Sequence, residues 1–159
     1  MTVKSKKVII TDLDGCICND SHRHHLAPAT REPLSGWNAY HLACGDDAPI
    51  MGTIRTVQAL AAAHRIHIIT GRQEIARAHT IAWLARYNVP YDELRMYLPA
   101  DVRYRKWEYK LRYIEELRER GLHPVLFIED WPLIADHVET AGRIPVLCIN
   151  SRFPKLYER

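Results

Sequence analysis

Val8-Ile9-Ile10-Thr11-Asp12-Leu13-Asp14-Gly15 is the stretch on which the reading of the chain turns. An apolar, β-branched run leads directly into two carboxylates one residue apart, then a glycine. The run predicts a buried strand over 7–11. Alternation along a strand puts residues i and i+2 on one side, so Asp12 and Asp14 can point the same way. Carboxylates that close repel unless a cation lies between them. Gly15 permits a sharp turn where they emerge. Alone, such a pair reads equally as a polar strand-to-loop cap or as a cation site, and the rest of the chain decides between them.

Outward from this stretch, apolar runs predict further strands at 66–70, 125–128 and 146–149. The second runs into Thr70-Gly71-Arg72 and the third into Glu129-Asp130. Helical patterns separate them. One covers 49–64, capped by Asp46 or Asp47, with Ile54, Val57, Leu60 and Ala61 on one face. The next covers 73–87, with Ile75, Ala78, Ala82 and Trp83 inward and Asn88 as the stop. A third covers 106–120, with Trp107, Leu111, Ile114 and Leu117 at helical spacing. The last begins at Pro132, favourable in a first turn, and ends at Gly142. Residues 90–96 read as a turn and a very short strand.

Strands alternating with helices predict an α/β fold, a Rossmann-like three-layer α/β/α sandwich on a parallel sheet. Right-handed crossovers place the carboxyl ends of all strands on one edge, where open α/β sheets bind ligands. The polar groups after three strands, Asp12/Asp14, Thr70-Gly71-Arg72 and Glu129-Asp130, should therefore converge. Three such endings are hard to explain as caps.

The chain has 159 residues, 47% of them hydrophobic, enough for one domain over 1–159 with a real core. A net charge of +3 is too weak to imply nucleic acid by itself. The four cysteines show no C-x-x-C pairing, which fits reduced packing residues. No stretch approaches a membrane span, and the N-terminus lacks the apolar core of a signal peptide, so a cytoplasmic protein is expected. Residues 16–47 form a long irregular connection, with a short helix around 37–43; its length suggests function. Its clustered His22, His24 and His25 fall on different faces, which argues against a histidine metal site. The run Arg103-Tyr104-Arg105-Lys106 interleaves aromatic and cationic residues as a nucleic-acid groove would, and equally as a solvated loop would.

Four carboxylates beside a hydroxyl and cationic arms suit an anion only with a divalent cation present, and Mg²⁺ prefers a few carboxylates plus phosphate and water. Asp12 is then placed to attack a phosphoryl group. Asp14 can protonate the leaving oxygen and later activate water. Thr70 and the backbone N–H groups after it can bind phosphoryl oxygens. Lys106 or Lys110 can neutralise the transferring charge.

This order of motifs resembles the haloacid dehalogenase (HAD) superfamily of phosphatases. The resemblance implies Asp12 as nucleophile, Asp14 as acid/base, and Thr70 and Lys110 as phosphate contacts. It implies Mg²⁺ held by Asp12, Asp14 and the pair Glu129-Asp130, with Asp130 matching the family's ligand and Glu129 departing from a usual aspartate. Cys16 stands where a threonine is usual. Looser cues, Asp20-x-x-Arg23, Thr70-Gly71-Arg72 and Asp101-Val102-Arg103, are similar to the phosphatase module of phage and bacterial polynucleotide kinase/phosphatases. That similarity implies Arg23, Gly71, Arg72 and Arg103 at the substrate. No G-x-x-x-x-G-K-[ST] loop exists, so no kinase half is expected. Only the flap over 16–47 is left to serve as a cap. The expected activity is therefore Mg²⁺-dependent phosphomonoester hydrolysis through an aspartyl-phosphate. Its substrate is a 3′-phosphorylated nucleic-acid end, with a (deoxy)nucleotide, held by a flap whose Trp37, Tyr40 and His41 can stack on a base, as the alternative. A non-catalytic nucleic-acid-binding module of the same fold is the alternative from another class, and the intact acidic set argues against it.

Overall fold

The computed structural model describes residues 6–30, 33–149 and 156; the segment 1–5, which bears on a leader, lies outside them. Strand β1 is Lys7–Thr11, as its apolar run predicts. Two short strands, β2 (Cys18–Asn19) and β3 (Ala48–Pro49), pair antiparallel and close off the segment between them. That segment carries three 3₁₀ turns and helix α1 (Asn38–Leu42). Then come α2 (Met51–Leu60), β4 (Arg65–Gln73), α3 (Arg77–Arg86), β5 (Glu93–Tyr97), α4 (Lys106–Glu119), β6 (His123–Glu129), α5 (Pro132–Thr140) and β7 (Val146–Cys148). The five longer-range strands form one parallel sheet in the order β5-β4-β1-β6-β7, with β1 central.

Strand alternation splits β1 between two cores. Ile9 packs with Ile54 and Val57 of α2 and Trp83 and Leu84 of α3. Val8 and Ile10 face the other way, onto Tyr113, Ile114 and Leu117 of α4 and Ile134 and Val138 of α5. The result is the three-layer α/β/α sandwich, with both sheet faces covered as a parallel sheet requires. Each fully buried Ile or Leu contributes roughly 1.5–3 kcal/mol. Among the described residues no helix is long and apolar enough to cross a membrane.

Three expectations shift. The helix expected over 49–64 is shorter, because Pro49 belongs to β3 and pairs with Cys18. Ile50, not Asp46 or Asp47, precedes its first turn, and Asp47 is taken into the site instead. In the helix expected over 73–87, Ile75, Ala78 and Ala82 face solvent, and the inward residues are Ala76, Thr80, Trp83 and Leu84. A 3₁₀ turn at Glu74–Ala76 precedes α3 and shifts the phase of its buried stripe. Asn88, at φ 52°, ends that helix as expected.

β4 does not stop at Thr70. It pairs with β5 at Ile69↔Arg95 and again at Gln73↔Tyr97, so three residues, Thr70, Gly71 and Arg72, leave the ladder between two paired positions. A bulge of this kind re-aims side chains at a sheet edge.

Candidate active site

The ends of β1, β4 and β6 meet at one cavity of about 320 Å³, lined by Asp12, Asp14, Gly15, Thr70, Gly71, Lys110, Glu129 and Asp130 among others. Its floor follows from local backbone. The Asp12 N–H still bonds the Ile128 carbonyl at 2.9 Å, so the strand ladder holds that residue. The chain then wraps the Leu13 carbonyl, which accepts from the N–H groups of Cys16, Ile17 and Cys18. Gly15 makes the reversal at φ 84°, a value costly for a side chain with a Cβ.

Lys110 reaches the floor from α4 and is 3% exposed. Its Nζ lies 3.2 Å from Asp12 Oδ1 and 2.5 Å from Glu129 Oε2. Burial alone would depress the amine, but Asp12 and Glu129 hold its pKa well above the ordinary lysine range. Burial lifts Asp12 to about 7, against the opposing pull of Lys110. Glu129 Oε1 also accepts the N–H groups of Asp130 and Trp131, at 3.0 and 3.1 Å. Its two oxygens are thus committed to a lysine and to the backbone leading into α5.

Asp14 is turned to the other side. Both Arg23 and Arg72 donate to Asp14 Oδ1, the former at 2.6 Å. Opposite it, Asp47 accepts Arg23 Nε at 2.7 Å, Arg23 at a second nitrogen at 2.8 Å and Arg72 at 2.9 Å. Two guanidinium groups and two carboxylates form a closed square. Burial would raise the Asp14 carboxyl, yet the two arginines hold it far below the usual carboxylate range. Arg23, itself 0% exposed, comes from the 3₁₀ turn Ser21–Leu26 and lies 4.2 Å over the Tyr40 ring. The Tyr40 hydroxyl in turn donates to Asp20 at 2.5 Å. Arg72 also donates to Thr80 on α3 at 3.1 Å. The segment 16–47 is therefore built into the site rather than resting over it.

Thr70 is buried and its hydroxyl accepts the Arg72 N–H at 3.0 Å. Lys106 lies at the rim over Gly71; a Cβ on Gly71 would stand 2.6 Å from the Lys106 Nζ. One helical turn separates this lysine from Lys110 on the floor. Trp37, Tyr40 and His41 line the flap side of the cavity and contact one another.

Asp12, Cys16, Glu129 and Asp130 can each present a ligand atom within 4.8 Å of the others. Burial, then the neighbouring carboxylates of Glu129, Asp12 and Asp130, pushes the Cys16 thiol well up, and a sulfur ligand is too soft to suit a hard cation. Glu129 is occupied. Asp12 and Asp130 remain, a hard oxygen pair of the kind that holds Mg²⁺ beside a phosphate. Asp14, expected with Asp12, Glu129 and Asp130 as a metal carboxylate, is not brought to this group; its carboxylate faces the arginines.

Of the expected site residues, Asp12, Thr70, Gly71, Lys110, Glu129 and Asp130 converge, and Arg23 and Arg72 meet on Asp14. Arg103 does not join them. It is exposed and lines a separate cleft with Tyr104 and Arg112. Of the two candidate lysines, Lys110 reaches Asp12. Asp47 escapes sequence reasoning, since beside Pro49 it reads as a helix cap. The signal that finds it is charge balance: two buried arginines on one aspartate demand a second anion.

No family model and no curated protein matches the sequence. Solved structures do. Two structures of the Pnkp1/Rnl/Hen1 complex, one described as an RNA repair complex, each align at a TM-score of 0.70 and 20% identity. They cover 94% and 91% of this chain but 47% and 42% of theirs, so the chain spans about half the length of those neighbours. A haloacid dehalogenase-like hydrolase from Streptococcus pneumoniae aligns at 0.64 and 14% identity, over 90% of this chain and 84% of that one. A HAD family enzyme from Bacteroides thetaiotaomicron, in complex with magnesium and inorganic phosphate, aligns at 0.56 and 10%, over 93% and 96%. The fold is HAD-like.

Proposed function

We propose that this chain is a Mg²⁺-dependent phosphomonoesterase working through an aspartyl-phosphate on Asp12, and that its substrate is a 3′-phosphorylated nucleic-acid end. One observation carries the reading: Asp12 stands on the cavity floor against a buried lysine, with Asp130 beside it and Asp14 held across from it by two arginines. An Asp12 oxygen attacks phosphorus and the ester P–O bond breaks. Asp14 gives a proton to the leaving oxygen, then takes one from the water that cleaves the acyl-phosphate, releasing inorganic phosphate. Lys110 offsets charge on Asp12 and on the phosphoryl group, and Thr70 with the Gly71 N–H would contact the phosphoryl oxygens. Bound between Asp12 and Asp130, Mg²⁺ would supply further neutralisation of that charge.

The arginine square gives Asp14 a way to act as an acid. In the resting site both guanidinium groups keep it ionised. A phosphate dianion entering the cavity competes for Arg23 and Arg72. As they turn to it, Asp14 loses the charges that hold its proton off and takes one from solvent. The role expected for the arginines as phosphate contacts and their place on Asp14 are then two states of one device.

The structural likeness to the Pnkp1/Rnl/Hen1 complex supports the nucleic-acid end as substrate. The aromatic wall of Trp37, Tyr40 and His41 favours a second reading, a free nucleotide whose base stacks there. Phosphate release with Mg²⁺ from a 3′-phosphorylated oligonucleotide, its 5′ isomer and free nucleotides separates the two. Equal rates on all three overturn the polynucleotide reading. Asp12→Asn should lower turnover by at least ~10³-fold with the fold intact, as loss of a nucleophile does; appreciable residual turnover overturns its role.

A further inference from the structure

Most arginines of this chain that make ion pairs are answered by a carboxylate close by: Arg77 by Glu74, Arg95 by Asp101, Arg118 by Glu115, Arg120 by Glu93. Arg55, Arg86 and Arg143 have no ion pair among the described residues, and neither do three that stand together on one short segment. Arg103, Arg105 and Arg112 are exposed and have no carboxylate partner among the described residues. Arg103 and Arg112 instead lie over the ring of Tyr104, at 4.9 and 4.4 Å from its centroid. Of the four carboxylates that line a cleft with Arg103 and Arg112, Asp101 pairs with Arg95, Glu115 with Arg118 and Glu116 with Arg120, while Glu119 has no ion pair among the described residues; Glu108 accepts the Arg105 backbone N–H.

Position gives this cluster its meaning. Arg103, Tyr104 and Arg112 line a cleft of about 540 Å³. That cleft and the carboxylate cavity share one wall residue, Tyr109. Lys106, the first residue of α4, stands on the cavity side of the same wall, over Gly71. Arg105 and Arg112, seven residues apart on α4 and its cap, fall on one helix stripe. Cationic charge thus runs from the cavity rim over the start of α4 to the Tyr104 stack. Arg23 and Arg72 do not line the cavity and are buried on Asp14 and Asp47, so they are not part of this surface run.

We propose that Lys106, Arg105, Arg103 and Arg112 form a track for the phosphodiester backbone of a single strand whose end enters the carboxylate cavity. The two guanidinium groups braced on Tyr104 hold fixed planes for phosphate oxygens, which limits the side-chain entropy lost on binding. The proposal rests on the nucleic-acid part of the reading above, but concerns binding of the strand and not the chemistry at its end.

The test is therefore a binding measurement. Fluorescence anisotropy follows a labelled twelve-nucleotide single strand with a 3′-hydroxyl end on the intact chain at rising salt. Each phosphate contact on a single strand adds about 0.7 to the slope of log K against log salt. Four contacts predict a slope near −2.8, and a loss of affinity of about 50-fold between 50 and 200 mM salt. Arg103→Gln with Arg112→Gln should leave a slope near −1.4 and a loss of about 7-fold over the same range. Deoxyribose and ribose strands should give the same slopes, since the backbone charge is common to both. Both substitutions are on exposed side chains, and an unchanged melting temperature verifies the fold. A variant slope equal to that of the wild type overturns the track, as does a salt dependence confined to one sugar. A chain that releases no phosphate from any substrate yet keeps this salt dependence retains the track and loses the catalytic reading.

Discussion

Removing the charge of Asp47 tests the arginine square most directly. Asp47 is 1% exposed and accepts three guanidinium hydrogen bonds, and with Asp14 it balances Arg23 and Arg72 two against two. Asp47→Asn keeps the shape but leaves two buried cations on a single carboxylate. Taking one partner from a buried pair costs about 3–5 kcal/mol, mostly the penalty of the charge left behind. For a domain of this length each kcal/mol lowers Tm by about 2–4 °C, so the variant should melt roughly 6–20 °C below the wild type. Circular dichroism melts measure this. Arg23→Gln, made alone, leaves the opposite imbalance, and the double variant restores one against one. The double variant should therefore lose about 0.5–3 kcal/mol less than the two single losses added together. An Asp47→Asn chain melting within about 2 °C of the wild type would refute the square as a structural unit, and so would strict additivity.

Three further outcomes follow from the same geometry. Mg²⁺ at about 100 times its dissociation constant should add roughly 2.7 kcal/mol of stability, and Asp130→Asn should remove that gain in a thermal shift assay; an unchanged shift would move the site off Asp130. His41 is buried and its pKa is lowered to about 3, so the folded state excludes a proton that the unfolded chain binds below pH 6.5. Its contribution is complete above pH 6.5 and is lost as pH falls through the window down to about 3, at roughly 1.4 kcal/mol per pH unit. His41→Gln should flatten that slope in acid titrations of stability, and equal slopes would show that His41 is not its source. Gly142→Ala should unfold the chain at lower temperature, because a Cβ there would stand 2.4 Å from the Val138 carbonyl oxygen. Gly71→Ala should leave Tm near wild type, because only the flexible end of Lys106 must move; the reverse order of the two melting temperatures would contradict the packing.

What the sequence discloses and what it withholds divide along one physical line. The order of the elements was legible because a buried parallel sheet needs near-continuous apolar runs: 8–10 and 125–128 are such runs, and 66–69 is one broken only by His67. The carboxylates at their ends were legible because the topology places strand ends on one edge wherever the helices cross over. Less visible was anything set by phase or by charge pairing at long range. The 3₁₀ turn before α3 rotates its buried face, and no periodicity in 73–87 announces it. The bulge over Thr70, Gly71 and Arg72 is set by pairing with β5, a strand read from sequence as barely present. Asp14 and Asp47 are far apart in the chain and are joined only through Arg23 and Arg72. Asp47, the residue missed, is fixed by what it neutralises. Charges that stand apart from the apolar pattern of a sequence are therefore best read by asking which buried group of opposite sign the fold must bring to them. In this chain that question turns Arg23 and Arg72 from expected phosphate contacts into groups that already hold two carboxylates, Asp14 and Asp47.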